Sequence, residues 1–171
     1  MKRAIVPRDD PQFGLIVPIA RVSRVEILKD GETLKAGAVT VTAHFTPGHT
    51  PGGTSWTWRS CEDARCLNMV YADCLTPVSA DDFRFTRSRV YPHAVADFER
   101  SYAFLDDVPC DLLITPHPGF SNLWQRLEQR SSSPNALLDS AACRKLAGSS
   151  RESLKKRLAT ETASQAPDHF R

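Results

Sequence analysis

Apolar and polar residues alternate most clearly between residues 33 and 45. Thr33-Leu34-Lys35-Ala36, a turn at Gly37 and then Val39-Thr40-Val41-Thr42-Ala43-His44-Phe45 predict a β-hairpin. Thr54-Ser55-Trp56-Thr57-Trp58 predicts a further strand, and 67–72 another that ends at Asp73-Cys74. The tract from Thr76 to Pro92 has no periodicity and reads as loop. Val95, Phe98, Tyr102 and Leu105 then recur at helical spacing behind Pro92, which suits a first helical turn. Asp111-Leu112-Leu113-Ile114-Thr115 has the form of a short buried strand and stops at Pro116-His117-Pro118-Gly119. Beyond it, Ser121 is expected to cap a helix bearing Leu123, Trp124 and Leu127. A polar break over 131–135 precedes a short helix with Cys143. Ser149 and Glu152 are expected to form a capping box for a last helix over 151–162, and the chain should fray from Gln165.

Strands come early and helices late, without an internal repeat. That order predicts an α+β fold in which helices cover one β-sheet, as in half of a layered sandwich. At 171 residues and 41% hydrophobic the chain can build one domain with its own core. Its 22 basic and 20 acidic residues are interspersed and give a net charge of +2, so no basic stripe argues for nucleic acid or an anionic membrane. The opening Met1-Lys2-Arg3-Ala4-Ile5-Val6-Pro7 is too short in apolar residues to read as a signal peptide, and no apolar run is long enough for a membrane span.

Five cysteines, at 61, 66, 74, 110 and 143, leave one unpaired in any disulfide scheme. Cys61 and Cys66 bracket a polar turn between strand-like runs, a spacing that suits a disulfide closing a hairpin. Free thiols in a reducing compartment satisfy the same spacing, whereas a zinc knuckle would need a second matched pair nearby.

The candidate chemistry lies at strand ends. His49 sits in Thr46-Pro47-Gly48-His49-Thr50-Pro51-Gly52-Gly53, a stiff turn that fixes an imidazole while leaving a ring nitrogen accessible to a metal. His117 follows a buried strand between two prolines. Cys74 leaves a third strand and offers a thiolate, a strong zinc ligand, although a buried inert cysteine would look the same in sequence. His44 within an alternating strand reads as packed or surface-facing, His93 as a helix-opening residue and His169 as part of the tail. The chain contains no Walker loop, G-x-S-x-G elbow or H-E-x-x-H.

Three segments, Thr46-Pro47-Gly48-His49-Thr50-Pro51-Gly52, Tyr71-Ala72-Asp73-Cys74-Leu75-Thr76 and Thr115-Pro116-His117-Pro118-Gly119, together resemble the last three metal-site segments of the metallo-β-lactamases. Their order is most similar to the third subclass. The resemblance spans 9–163, leaving 1–8 as a start outside the family pattern and 164–171 as a tail. It implies an αββα sandwich of which this chain would be the second half. It further implies His49 as a ligand of a first zinc, His117 as a ligand of a second, and Thr76 as a contact for the substrate carboxylate. Cys74 stands where the third subclass usually has serine and the first subclass a zinc-binding cysteine. Disulfides Cys61–Cys66 and Cys110–Cys143 are implied in the same way, with Cys74 left over.

The family's H-x-H-x-D-H ligand segment occurs nowhere in the 171 residues. The expected function is therefore a two-zinc β-lactam hydrolase represented by a piece that is inactive alone. The implied partner is a β-lactam substrate, with neither nucleic acid nor membrane, and the complete family member would be periplasmic or secreted. Two alternatives stand beside it: another hydrolase of the superfamily resembling hydroxyacylglutathione thioesterases, which place aspartate where Cys74 stands, and a non-catalytic remnant. A missing partner sheet should also leave Phe45, Trp56, Trp58, Val70 and Leu113 partly wet.

Overall fold

Alternation becomes pairing in the computed structural model, which describes residues 8–15 and 23–164. The expectations for the first seven residues, for the tail from Gln165 and for His169 lie outside the described residues. β1 (Thr33–Ala36) and β2 (Val39–Phe45) form the first hairpin, with Gly37 at φ +64°, a left-handed conformation that favours glycine. β3 (Thr54–Glu62) pairs antiparallel with β2, and β4 (Arg65–Tyr71) antiparallel with β3. Both strands run further toward their shared turn than the alternation predicts. The added length carries Cys61 and Cys66, which face each other across the ladder and are joined by a disulfide.

From β4 the chain crosses through a loop and α1 (Ala94–Asp107) to β5 (Leu112–Ile114), which lies parallel to β4. The five strands follow sequence order, β1-β2-β3-β4-β5, in one mixed sheet. After β5 come a 3-10 turn (Pro118–Ser121), the short α2 (Leu123–Glu128) and the long α3 (Ala142–Ala163). A second disulfide, Cys110–Cys143, ties the approach to β5 to the first turn of α3.

Two local expectations fail for identifiable reasons. Asn122, not Ser121, precedes α2, and it adopts the left-handed conformation at φ 49°; the Ser121 hydroxyl is instead engaged with Thr115 and the Pro118 carbonyl. The expected break before residue 151 is absent, because α3 runs unbroken through Gly148-Ser149-Ser150. Buried Leu146, Ala147, Ser150 and Leu154 form one stripe across that point, so tertiary packing overrides the local cap signal. The Ser149 hydroxyl donates back to the Leu146 carbonyl rather than capping a helix.

The sheet separates its side chains by parity. Thr57, Val70 and Leu113 share one row of the register, and Val70 and Leu113 are 0% and 2% exposed in a core with Phe98, Tyr102, Leu105, Leu146 and Leu154. The expectation that Val70 and Leu113 would be wet is therefore wrong: they face α1 and α3, not the side opposite. Phe45, Trp56 and Trp58 do lie on that opposite face, with Met69, Tyr71, Leu112 and Ile114. There Phe45 is 51% exposed and the others are only half-buried. Among the described residues no helix is long and apolar enough to cross a membrane.

Candidate functional site

Because β2 and β4 are each antiparallel to β3, and β5 is parallel to β4, the chain leaves β2, β4 and β5 at one edge of the sheet. His49 follows β2, Cys74 follows β4 and His117 follows β5. Strand direction alone brings the three candidate ligands to that common edge.

His49 and Cys74 are also brought into contact. The His49 Nδ1 lies 2.7 Å from the Thr76 carbonyl oxygen and donates to it, which leaves Nε2 as the ring nitrogen available to Cys74 or to an ion. Cys74 Sγ is hydrogen-bonded to Thr76 Oγ1 at 3.2 Å. Cys74 is 7% exposed and is the free cysteine of the chain. Thr76, expected to meet the substrate carboxylate, thus uses its carbonyl on His49 and its hydroxyl on Cys74.

Burial pulls the His49 imidazole toward its neutral form, but the hydrogen bonds to Cys74 and the Thr76 carbonyl outweigh it and leave the pKa raised. Burial pushes the Cys74 thiol up. Hydrogen bonds from His49 and Thr76 outweigh that in turn, so its pKa is lowered. Each group thus favours the charged form of the other.

The His49 loop is fixed from behind by α1 and from the side by β4. Ser101 Oγ donates to the Pro47 carbonyl at 2.6 Å, and Phe98 packs so closely on Gly48 that a Cβ there would lie 2.5 Å from its ring. Gly48 itself has φ +139°. At Gly53 a Cβ would meet the Thr46 carbonyl oxygen at 2.4 Å. Asp73 Oδ2 accepts the Thr54 backbone N–H at 3.1 Å, and the Asp73 N–H donates to Ser55 Oγ, which is bonded to Thr46 Oγ1 at 2.7 Å. Tyr102 OH bridges the Leu75 and Ser150 carbonyls, so α1 and α3 both restrain the exit from β4. The sequence places Phe98 and Tyr102 on the apolar stripe of α1 and Asp73 at a strand end, but assigns neither them nor Ser101 a part in bracing this loop. Only Asp73, a polar residue beside Cys74, carries a local signal; the others act across long sequence separations.

His117 stands apart from this network. It is exposed, precedes the 3-10 turn, and its ring meets Phe120 edge-on at 5.7 Å. Thr115 Oγ1 donates to its carbonyl at 2.8 Å, which fixes the backbone rather than the imidazole. Of the remaining histidines, His44 stacks on Phe104 of α1 at 4.6 Å and bonds Thr57 at 2.8 Å, and burial holds its pKa down. His93 is exposed at the start of α1 without a side-chain cap bond.

An imidazole whose Nδ1–H is held by a backbone carbonyl is the usual form of a histidine metal ligand, so His49 taken singly suits an ion. The set does not close. Among the described residues no three His, Cys, Asp or Glu side chains are grouped to hold a metal, and a catalytic zinc takes three protein ligands.

No family model matches the sequence. Solved structures do. The chain is similar to the Rm3 metallo-β-lactamase at 45% identity and a TM-score of 0.90, over 94% of this chain and 60% of that one. It is similar to MEM-A1, a subclass B3 metallo-β-lactamase from a soil metagenome library, at 41% identity and a TM-score of 0.90, over 95% and 62%. SMB-1, solved with 2-mercaptoethanesulfonate, matches at 40% identity and a TM-score of 0.86, over 92% and 60%. The chain thus spans about three fifths of the length of each of these structures. Identity of this order along nearly the whole of the present sequence, joined to the same path of the backbone, makes it a member of the subclass B3 metallo-β-lactamase family.

Proposed function

We propose that this chain supplies part of the catalytic centre of a zinc-dependent β-lactam hydrolase and cannot close that centre by itself. The observation that carries the proposal is the His49 corner: an imidazole oriented through Nδ1 by the Thr76 carbonyl, beside a thiol that leaves the next strand, at the edge where His117 also emerges. In this reading His49 binds a first zinc, and His117 with Cys74 binds a second. When bound, zinc would supply a hydroxide near neutral pH and polarise the lactam carbonyl. The chain's own residues hold and orient: Thr76 fixes His49, α1 fixes the loop behind it, and Thr76 Oγ1 exchanges its bond to Cys74 for one to the substrate carboxylate.

The ligands this chain lacks would come with an H-x-H-x-D-H segment, together with a second sheet to cover the bare apolar face. The test is a chromogenic cephalosporin assay with added zinc. The isolated chain should show no turnover above background. Joined to a family half that carries H-x-H-x-D-H it should gain zinc-dependent turnover, and His49→Ala in that joined protein should lose most of it. Full activity of the His49→Ala form would overturn the assignment. Cobalt substitution addresses Cys74 separately: a sulfur-to-cobalt charge-transfer band that disappears in Cys74→Ser supports ligation, and an unchanged spectrum removes Cys74 from the ligand set.

A further inference from the structure

A cleft of about 490 Å³ that none of His49, Cys74 and His117 lines lies between residues 8–13 and the loop that follows Thr76. The two segments are firmly apposed: the Ala80 N–H donates to the Pro11 carbonyl at 2.8 Å, and Pro11 is fully buried. Arg8, Arg84, Arg87 and Arg89 line the cleft against Asp10 and Asp82. Among the described residues none of the four arginines is in a salt bridge. The Arg84 guanidinium is oriented by the Asp81 and Phe83 carbonyls, which position it without neutralising it. Asp10 is itself engaged, accepting the Gln12 N–H at 2.8 Å. The walls between the charges are apolar, with Phe13 44% exposed and Phe83 half-buried.

We infer that this cleft binds a small organic carboxylate carrying an aromatic or other flat apolar group. Guanidinium matches a carboxylate through paired, charge-assisted hydrogen bonds, and it does so best where apolar walls thin the surrounding water. Two ring side chains beside the charges suit a flat apolar body. Four arginines against two aspartates leave the rim net positive, which suits an anion. The site uses no candidate zinc ligand. Its test needs no zinc, and its failure would leave the hydrolase proposal untouched.

Titration of the full chain with 4-fluorobenzoate, followed by fluorine NMR, reads the site directly. Saturable binding is expected, weakening with added salt, while 4-fluorobenzyl alcohol, the neutral twin, binds markedly more weakly. Arg87 and Arg89 are exposed and their side chains make no hydrogen bond among the described residues, so the double substitution R87Q/R89Q should keep the near-ultraviolet circular dichroism of the parent. It should weaken 4-fluorobenzoate binding about fivefold, the upper end for partly exposed ion pairs. Equal binding of the alcohol, parent-like affinity in the double variant, or no saturable binding at all would each overturn the inference.

Discussion

The two faces of the sheet are built from the same strands and have opposite surroundings. On one, Val70 and Leu113 disappear beneath α1 and α3, which the chain itself provides. On the other, Phe45 stays 51% exposed and Trp56, Trp58, Met69 and Ile114 are only half-buried, although they are no less apolar. Hydrophobicity therefore marks a position as fit for burial, and parity with topology decides whether anything arrives to bury it. The His49 corner belongs to the closed side, which explains how half of a proposed metal centre is held in place while its remaining ligands lie elsewhere.

The contrast can be broken by mutation. Leu113→Ala should cost about 2–5 kcal/mol, as a large-to-small change in a closed core, and would appear as a lower midpoint in urea unfolding of the isolated chain. Gly53→Ala places a methyl group against the Thr46 carbonyl and should cost about 1–3 kcal/mol through forced backbone movement. It should also disturb the His49 resonance while leaving that of His93 in place.

Glu161 sharpens the picture at the far end of the closed side. Its carboxylate, 3% exposed, accepts the backbone N–H groups of Phe85 and Thr86 and pairs with Arg157 at 2.7 Å. Burial raises its pKa, but these hydrogen bonds prevail and hold it below the ordinary value. A depressed carboxylate contributes stability that is fully present above its unfolded-state pKa of about 4.3 and is lost as pH falls through the lower folded value. Glu161→Gln should therefore lower stability at neutral pH by about 1–3 kcal/mol and flatten the acid limb of the stability profile. An unchanged acid limb would remove Glu161 from that role. The smallest effect belongs to the bare face: Trp58→Thr should cost about 0.2–1 kcal/mol, the scale of a cross-strand pair with Met69. A loss as large as that at Leu113 would mean that this face is covered after all.

The sequence made the strands and α1 legible because their periods, two and 3.6, survive without knowledge of neighbours. It misplaced α3 because Gly148-Ser149-Ser150 has the local form of a break, while the stripe that spans it is defined by contacts with α1. His49 and His117 stood out through the prolines and glycines that stiffen their turns. The residues that brace the corner did not, since Ser101 lies 54 residues from Pro47 and Tyr102 27 residues from Leu75. Nothing near Glu161 announces that it will seize Thr86, 75 residues away. Such partners are created by folding and leave no mark on their own neighbourhoods.

The parallel seating of β5 against β4 has a consequence in time. β1 to β4 are joined by short turns, so their ladders form from local contacts, which close quickly. β5 can pair only after the chain between Tyr71 and Leu112, with α1 inside it, has folded back across the sheet. His117 is therefore delivered to the shared edge later than His49 and Cys74. On a growing chain His49 and Cys74 emerge before His117, and the α3 contact that completes the bracing of their corner comes last of all.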